Sequence, residues 1–176
     1  FKELSSLNMI FVISAFETTN DEVLTILEKN HSSIDLSNAI EISQTNNIDI
    51  RPTWMPFSPW TNQNDLIDII NLIENYKLRE TVDPIQLTIK LLIPKHSLIL
   101  QRSEIKKYLK DYDKNSLSYM WDYKNEEVNK LQVSLFKYLL DTPDLDEHSQ
   151  YLGMVKIIEN MTCLLYTSDA ADESVS

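Results

Sequence analysis

Three strand-like segments recur along this chain at a near-constant interval. They are MIFVISAF at 9–16, IDIRPTWM at about 48–55 and IQLTIKLL at 85–92. Their starts lie roughly 36–40 residues apart, the length of one strand, its following helix and the connections. The intervening sequence carries helical signals. Thr19 or Asn20 can cap a helix over about 21–30, with Asp21 and Glu22 in its first turn. Ser33 opens a second over about 34–46, with Ile34, Leu36, Ala39, Ile40 and Ile42 at roughly helical spacing. Thr61 or Asn62 caps a third over about 63–76, with Leu66, Ile69, Ile70 and Ile73 on one face. The order predicts an α/β fold with parallel strands and right-handed crossovers. A short helix is expected over about 103–110 and further helices over about 125–140 and 145–161, and 111–124 is expected to be a packed aromatic and polar loop.

The end of the chain has a different character. Residues 163–173, CLLYTSDAADE, are similar to one reading frame of a sequencing-library adapter. On that reading 163–176 is an artefactual tail, the natural sequence continues elsewhere, and the chain is a fragment opening at Phe1. The expected organisation is strands and helices over 1–100, a helical extension over 101–162, then the tail.

Composition narrows the chemistry. The net charge is −11, and Asp169, Asp172 and Glu173 of the tail contribute three of those charges. An acidic chain is poorly suited to nucleic acid or to anionic membranes, which call for clustered Lys and Arg. No apolar run approaches the roughly 20 residues that span a bilayer. The one cysteine, Cys163, lies in the adapter-like string, so thiolate metal sites, disulfides and cysteine nucleophiles are not expected in the remainder. His31, His96 and His148 lack metal-pair spacing, and one glycine, Gly153, is too few for a P-loop or a dinucleotide fingerprint.

Candidate site residues follow from strand alternation. Arg51 and Thr53 share one face of the second strand, and Gln86, Thr88 and Lys90 share one face of the third. Ile85, Leu87, Ile89 and Leu91 form the opposite, helix-facing side. The polar faces meet either water or a barrel lumen, whose C-terminal mouth holds chemistry in β/α barrels. Glu17, just past the first strand, suits either a ribose or ammonium ligand or support for the following helix. Trp54, Phe57 and Trp60 suit either a flat-ring pocket or core packing, and His31 suits a helix C-terminus.

The stretches FVISAFETTNDEV, RPTWMPFSPWT, VDPIQLTIKLLIP and MWDYKNEEVNKLQ resemble the second half of the barrel in radical S-adenosylmethionine (SAM) enzymes, over about residues 8–160. The likeness is to the branch named for a CUAEP or CCAEP tail. It implies the C-terminal half of a partial (β/α)6, TIM-like barrel, with the three strands as its fourth to sixth. It further implies SAM and a [4Fe-4S] cluster as cofactors, with SAM cleaved to a 5′-deoxyadenosyl radical acting on an unknown small-molecule or peptide substrate. The resemblance also implies a flavodoxin or ferredoxin electron donor and a cytoplasmic setting. Glu17, Arg51, Thr53, Leu92 and Pro94 would lie against SAM, and Gln86, Thr88 and Lys90 would line the lumen. No CxxxCxxC motif occurs in the chain, and Lys95-His96-Ser97 stands where that family has a glycine-bearing turn.

Two other readings use the same residues. One is a non-catalytic α/β module binding a protein partner through its C-terminal helices. The other is a metal-free aldolase with Lys90 as Schiff-base lysine, which requires a desolvated Lys90 of lowered basicity.

Overall fold

The computed structural model describes the backbone of residues 1–172 and the side chains of 1–161. The chain runs α1 (Lys2–Ser6), β1 (Phe11–Glu17), α2 (Asp21–Ile26), α3 (Ser33–Thr45), β2 (Asp49–Trp54) and α4 (Gln63–Asn75). Three 3-10 turns follow at Arg79–Thr81, Pro84–Thr88 and Leu98–Gln101, then α5 (Ser103–Lys106), β3 (Leu109–Asp113), β4 (Ser118–Trp121), α6 (Glu126–Asp141) and α7 (Glu147–Asp172). The tail side chains beyond Met161, Cys163 among them, lie outside the described residues.

The first two expected strands pair in parallel, with Val12 opposite Ile50 and Ile13 opposite Arg51. One sheet face is buried. Phe16, Ile50 and Trp54 join Leu36 and Ile40 of α3, Leu66, Ile69, Ile70 and Ile73 of α4, and Val128, Leu131 and Leu135 of α6 in a single core. Tyr151, Met154 and Ile158 of α7 complete it, so the C-terminal helices share the core of the first hundred residues. The other sheet face is bare: Ile13 is 67% exposed and Arg51 is exposed beside it.

The expected third strand over 85–92 is corrected. Pro84–Thr88 is a 3-10 turn, and only the stretch around Lys90 runs beside the sheet, in a single parallel bridge to Phe57. Local chemistry starts the turn: Pro84 occupies its first position and the Asp83 carboxylate accepts the Ile85 N–H at 3.0 Å. The neighbouring strand then offers little to pair with. Asp49 and Met55 donate their N–H groups towards β1, to Ile10 and Glu17. By parallel alternation residues 50, 52 and 54 donate towards the other edge. Pro52 has no N–H, and the Trp54 N–H is taken by the Gln86 side-chain oxygen at 2.9 Å. The ladder resumes only where Phe57 donates to Ile89 and accepts from Leu91. The expected faces are scrambled accordingly: Leu87 and Leu91 are buried, as is Thr88, while Ile85 and Ile89 are exposed.

The loop expected over 111–124 is also corrected, because β3 and β4 form an antiparallel hairpin with Tyr112 opposite Tyr119. Its turn has no glycine. Asp113 accepts the Asn115 and Ser116 N–H groups instead, and Leu117 supplies the positive φ of 54°. The hairpin fastens onto the third segment: Tyr119 N–H donates to the Ile93 carbonyl, and the Ser118 hydroxyl accepts the Ile93 N–H.

Scarcity of glycine marks the helix ends as well. The first four helices each close in a Schellman motif, with Asn8, Glu28, Asn47 and Lys77 in the left-handed position glycine usually takes. At α4 the Lys77 N–H donates to Glu74 and the Leu78 N–H to Ile73, with Leu78 buried. Asn tolerates this backbone, whereas Lys pays for its Cβ. Lys77→Gly is expected to raise stability by about 1 kcal/mol in a urea titration, and Asn47→Gly by less. The bare sheet face is a second testable feature. Leu7 and Ile10 are exposed just before β1 and Ile13 on its bare face, and exposed apolar side chains beside a sheet tend to self-associate. Light scattering is expected to show oligomers that Ile13→Lys disperses; a monomeric parent chain would contradict this.

Candidate functional site

The C-terminal ends of β1 and β2 carry the main concentration of polar side chains held in place. Asn20 caps α2, its Oδ1 accepting the Glu22 and Val23 N–H groups. Asn62 caps α4 in the same manner, accepting from Asn64 and Asp65. Their amide groups converge on one buried carboxylate. Asp65 accepts from Asn20 Nδ2 at 3.0 and 3.1 Å, from Asn62 Nδ2 at 2.6 Å and from the Asn62 N–H at 2.9 Å. Burial pushes the Asp65 carboxyl up, outweighing the donors that pull it down. Sequence reasoning placed Asn20 and Asn62 as alternative caps and missed Asp65. The available signal was the capping-box spacing Asn62-x-x-Asp65. Every partner of Asp65 is a donor, so an amide in its place turns an NH2 towards an NH2. Asp65→Asn is expected to cost about 1–3 kcal/mol at neutral pH, read as a lower melting temperature.

Glu17 lies at this strand end, in a left-handed backbone conformation with φ of 65°. A bulge between Ala15 and Glu17 turns its carboxylate towards Lys29, and the two form an ion pair at 2.5 Å. Beyond it, Leu24, Thr25, Glu28, Lys29, Asn30 and His31 line an open cleft of about 490 Å³. His31 Nε2 and Thr19 Oγ1 are buried without a hydrogen-bond partner. His31 therefore sits in the cleft wall rather than on the last turn of α2, which ends at Ile26.

The remaining candidates disperse. Arg51 lies over the Phe11 ring at 4.2 Å on the bare sheet face, and half-buried Thr53 follows it. Gln86 is spent on the Trp54 N–H. Thr88 is buried, its hydroxyl donating to the Ile85 carbonyl and its own carbonyl accepting from Gln132. Leu92 is 67% exposed and Pro94 is exposed. After them the Pro94–Ser97 turn places His96 at φ 70°, a backbone that suits glycine. Trp54, Phe57 and Trp60 are 2%, 0% and 9% exposed, so the aromatic cluster is core. Glu17 and Gln86 are bonded to successive residues of the same strand end: the Met55 N–H donates to the Glu17 carbonyl, and the Trp54 N–H to the Gln86 side chain.

Lys90 has a distinct environment. Its ammonium lies over the faces of Trp121 and Tyr123, 5.0 and 5.2 Å from the ring centroids. The box is rigid: Trp121 Nε1 donates to the Leu91 carbonyl at 2.9 Å, and Tyr123 stacks edge-on against Trp121 and Phe57. Burial lowers the basicity of Lys90. It also pushes the Tyr123 hydroxyl up, helped by Glu126, and that hydroxyl is buried with no partner.

Among the described residues no group of three or more His, Cys, Asp or Glu side chains could hold a metal ion. The residues here therefore do not fit an iron–sulfur cluster. Glu17 is paired with Lys29 at the strand end, and Arg51 and Thr53 lie on the bare face of β2. No helix among the described residues is long and apolar enough to cross a membrane. Compared with known proteins, the chain matches no family model, no curated sequence and no solved structure.

Proposed function

We propose that this chain supplies the second half of the barrel wall of a radical SAM enzyme, with β1, β2 and the segment around Lys90 as the fourth to sixth strands. One observation carries the reading: three successive segments run parallel in chain order, with helices over one face and Arg51 and Thr53 left on the other. Parallel sheets are normally covered on both faces, and here the face with Ile13, Arg51 and Thr53 is uncovered, as the inner wall of a part-barrel would be.

In this role the chain's own residues position SAM. Glu17 would accept hydrogen bonds from its ribose or amino group, Arg51 and Thr53 would meet it from the strand face, and Leu92 and Pro94 would flank the adenine. SAM would supply the radical chemistry there. The substrate, the electron donor and the cytoplasmic setting follow only from the family likeness.

A second reading has its own support. Val133, Phe136 and Leu140 form an exposed apolar stripe along α6, on the side away from Val128, Leu131 and Leu135. That stripe suits a module that docks a protein partner. DNA sequencing upstream of the Phe1 codon separates the two. The barrel reading expects an in-frame CxxxCxxC motif there, and an intact upstream region without it ends that reading and leaves the α6 surface in place. For the chain itself, line broadening of SAM in ligand-observed NMR is expected to weaken on Arg51→Ala while the melting temperature holds. Equal broadening in both would remove Arg51 from the site.

A further inference from the structure

Lys90 is held differently from the chain's ion-paired cations. Lys29, Lys110 and Lys130 pair with carboxylates, as do Arg79 and Arg102. Among the described residues no carboxylate pairs with Lys90, whose neighbours are two aromatic faces. Those faces favour the ammonium and the loss of water opposes it, and burial is the influence resolved on its basicity. The amine stays reachable, because the residue is only half-buried. Its backbone is pinned on both sides, by the Phe57 bridge and by the Trp121 indole on the Leu91 carbonyl. Tyr123 adds a buried phenol held in its protonated form, with its donor unspent.

We propose that Lys90, in its box of Trp121 and Tyr123, is a carbonyl-reactive amine that forms an imine with a small aldehyde. The neutral amine attacks the carbonyl carbon, and a proton moves from nitrogen to oxygen to give a carbinolamine. The carbinolamine loses its hydroxyl as water and nitrogen loses its second proton, leaving the C=N bond, with one water released per imine. Tyr123 is the acid of this step: its O–H donates to the departing hydroxyl, and the proton lost from nitrogen restores it. Phe57, Trp121 and Tyr123 supply an apolar wall, which favours an alkyl aldehyde. The inference does not depend on the barrel reading.

The test uses the full chain with propionaldehyde and cyanoborohydride at limiting reagent, followed by peptide mapping of every lysine. Lys90 is expected to trap several-fold faster than exposed Lys77 and Lys95. Competitive acetylation at the same pH reads amine availability alone. Tyr123→Phe, checked for an unchanged melting temperature, is expected to slow trapping at Lys90 several-fold and leave its acetylation unchanged. Trapping at Lys90 no faster than at Lys77 overturns the proposal. Equal trapping in the parent and Tyr123→Phe chains overturns the role of the phenol, and parallel losses in trapping and acetylation reduce Tyr123 to a packing role.

Discussion

Trp54 is where the constraints on this chain meet. Its indole is buried edge-on against Phe16 at 5.5 Å between centroids, which joins β1 to the helical core. Its backbone pairs with Glu17 across the bulge that ends β1. Its N–H points the other way and is satisfied by Gln86. One residue thus sets where the parallel pair stops, where Glu17 turns outward and how the next segment approaches. A buried backbone donor must find an acceptor, and here a side chain reaches it before a strand does.

Much else follows from that edge. With Pro52 silent and Trp54 satisfied, the third segment has no ladder to join until Phe57. Its far side is free to accept the β3–β4 hairpin, which brings Trp121 and Tyr123 over Lys90. The aromatic box around the lysine is therefore a product of how the third strand fails to form. The same hairpin contributes to the second apolar cluster, where Trp121 packs with Leu91, Ile93, Ile99 and Ile105.

The polar strand ends obey a different logic. Asp65 ties two helix caps together at the expense of burying a carboxylate, which joins the starts of α2 and α4. The Glu17–Lys29 pair braces the end of β1 separately. The bare face of the sheet has no such bracing. Ile13 and Arg51 lie there beside Phe11, Ala15 and Thr53.

Local sequence determined most of the helices, the first two strands and their parallel order, because an amphipathic stripe or a capping residue acts within a few positions of itself. The helix expected over about 103–110 is an exception: it ends at Lys106, and β3 begins at Leu109. Asn20, Asn62 and the α4 stripe of Leu66, Ile69, Ile70 and Ile73 stand where their spacing placed them. Four features were settled by tertiary structure: the fate of residues 85–92, the hairpin hidden in an aromatic stretch, the convergence of donors on Asp65, and the setting of Lys90. The hairpin pairs residues close in sequence, but the other three turn on partners more than 25 residues away, such as Gln86 for Trp54 or Trp121 for Leu91. Alternation along IQLTIKLL describes a strand only if the neighbouring edge has donors to offer, and Pro52 had already removed one.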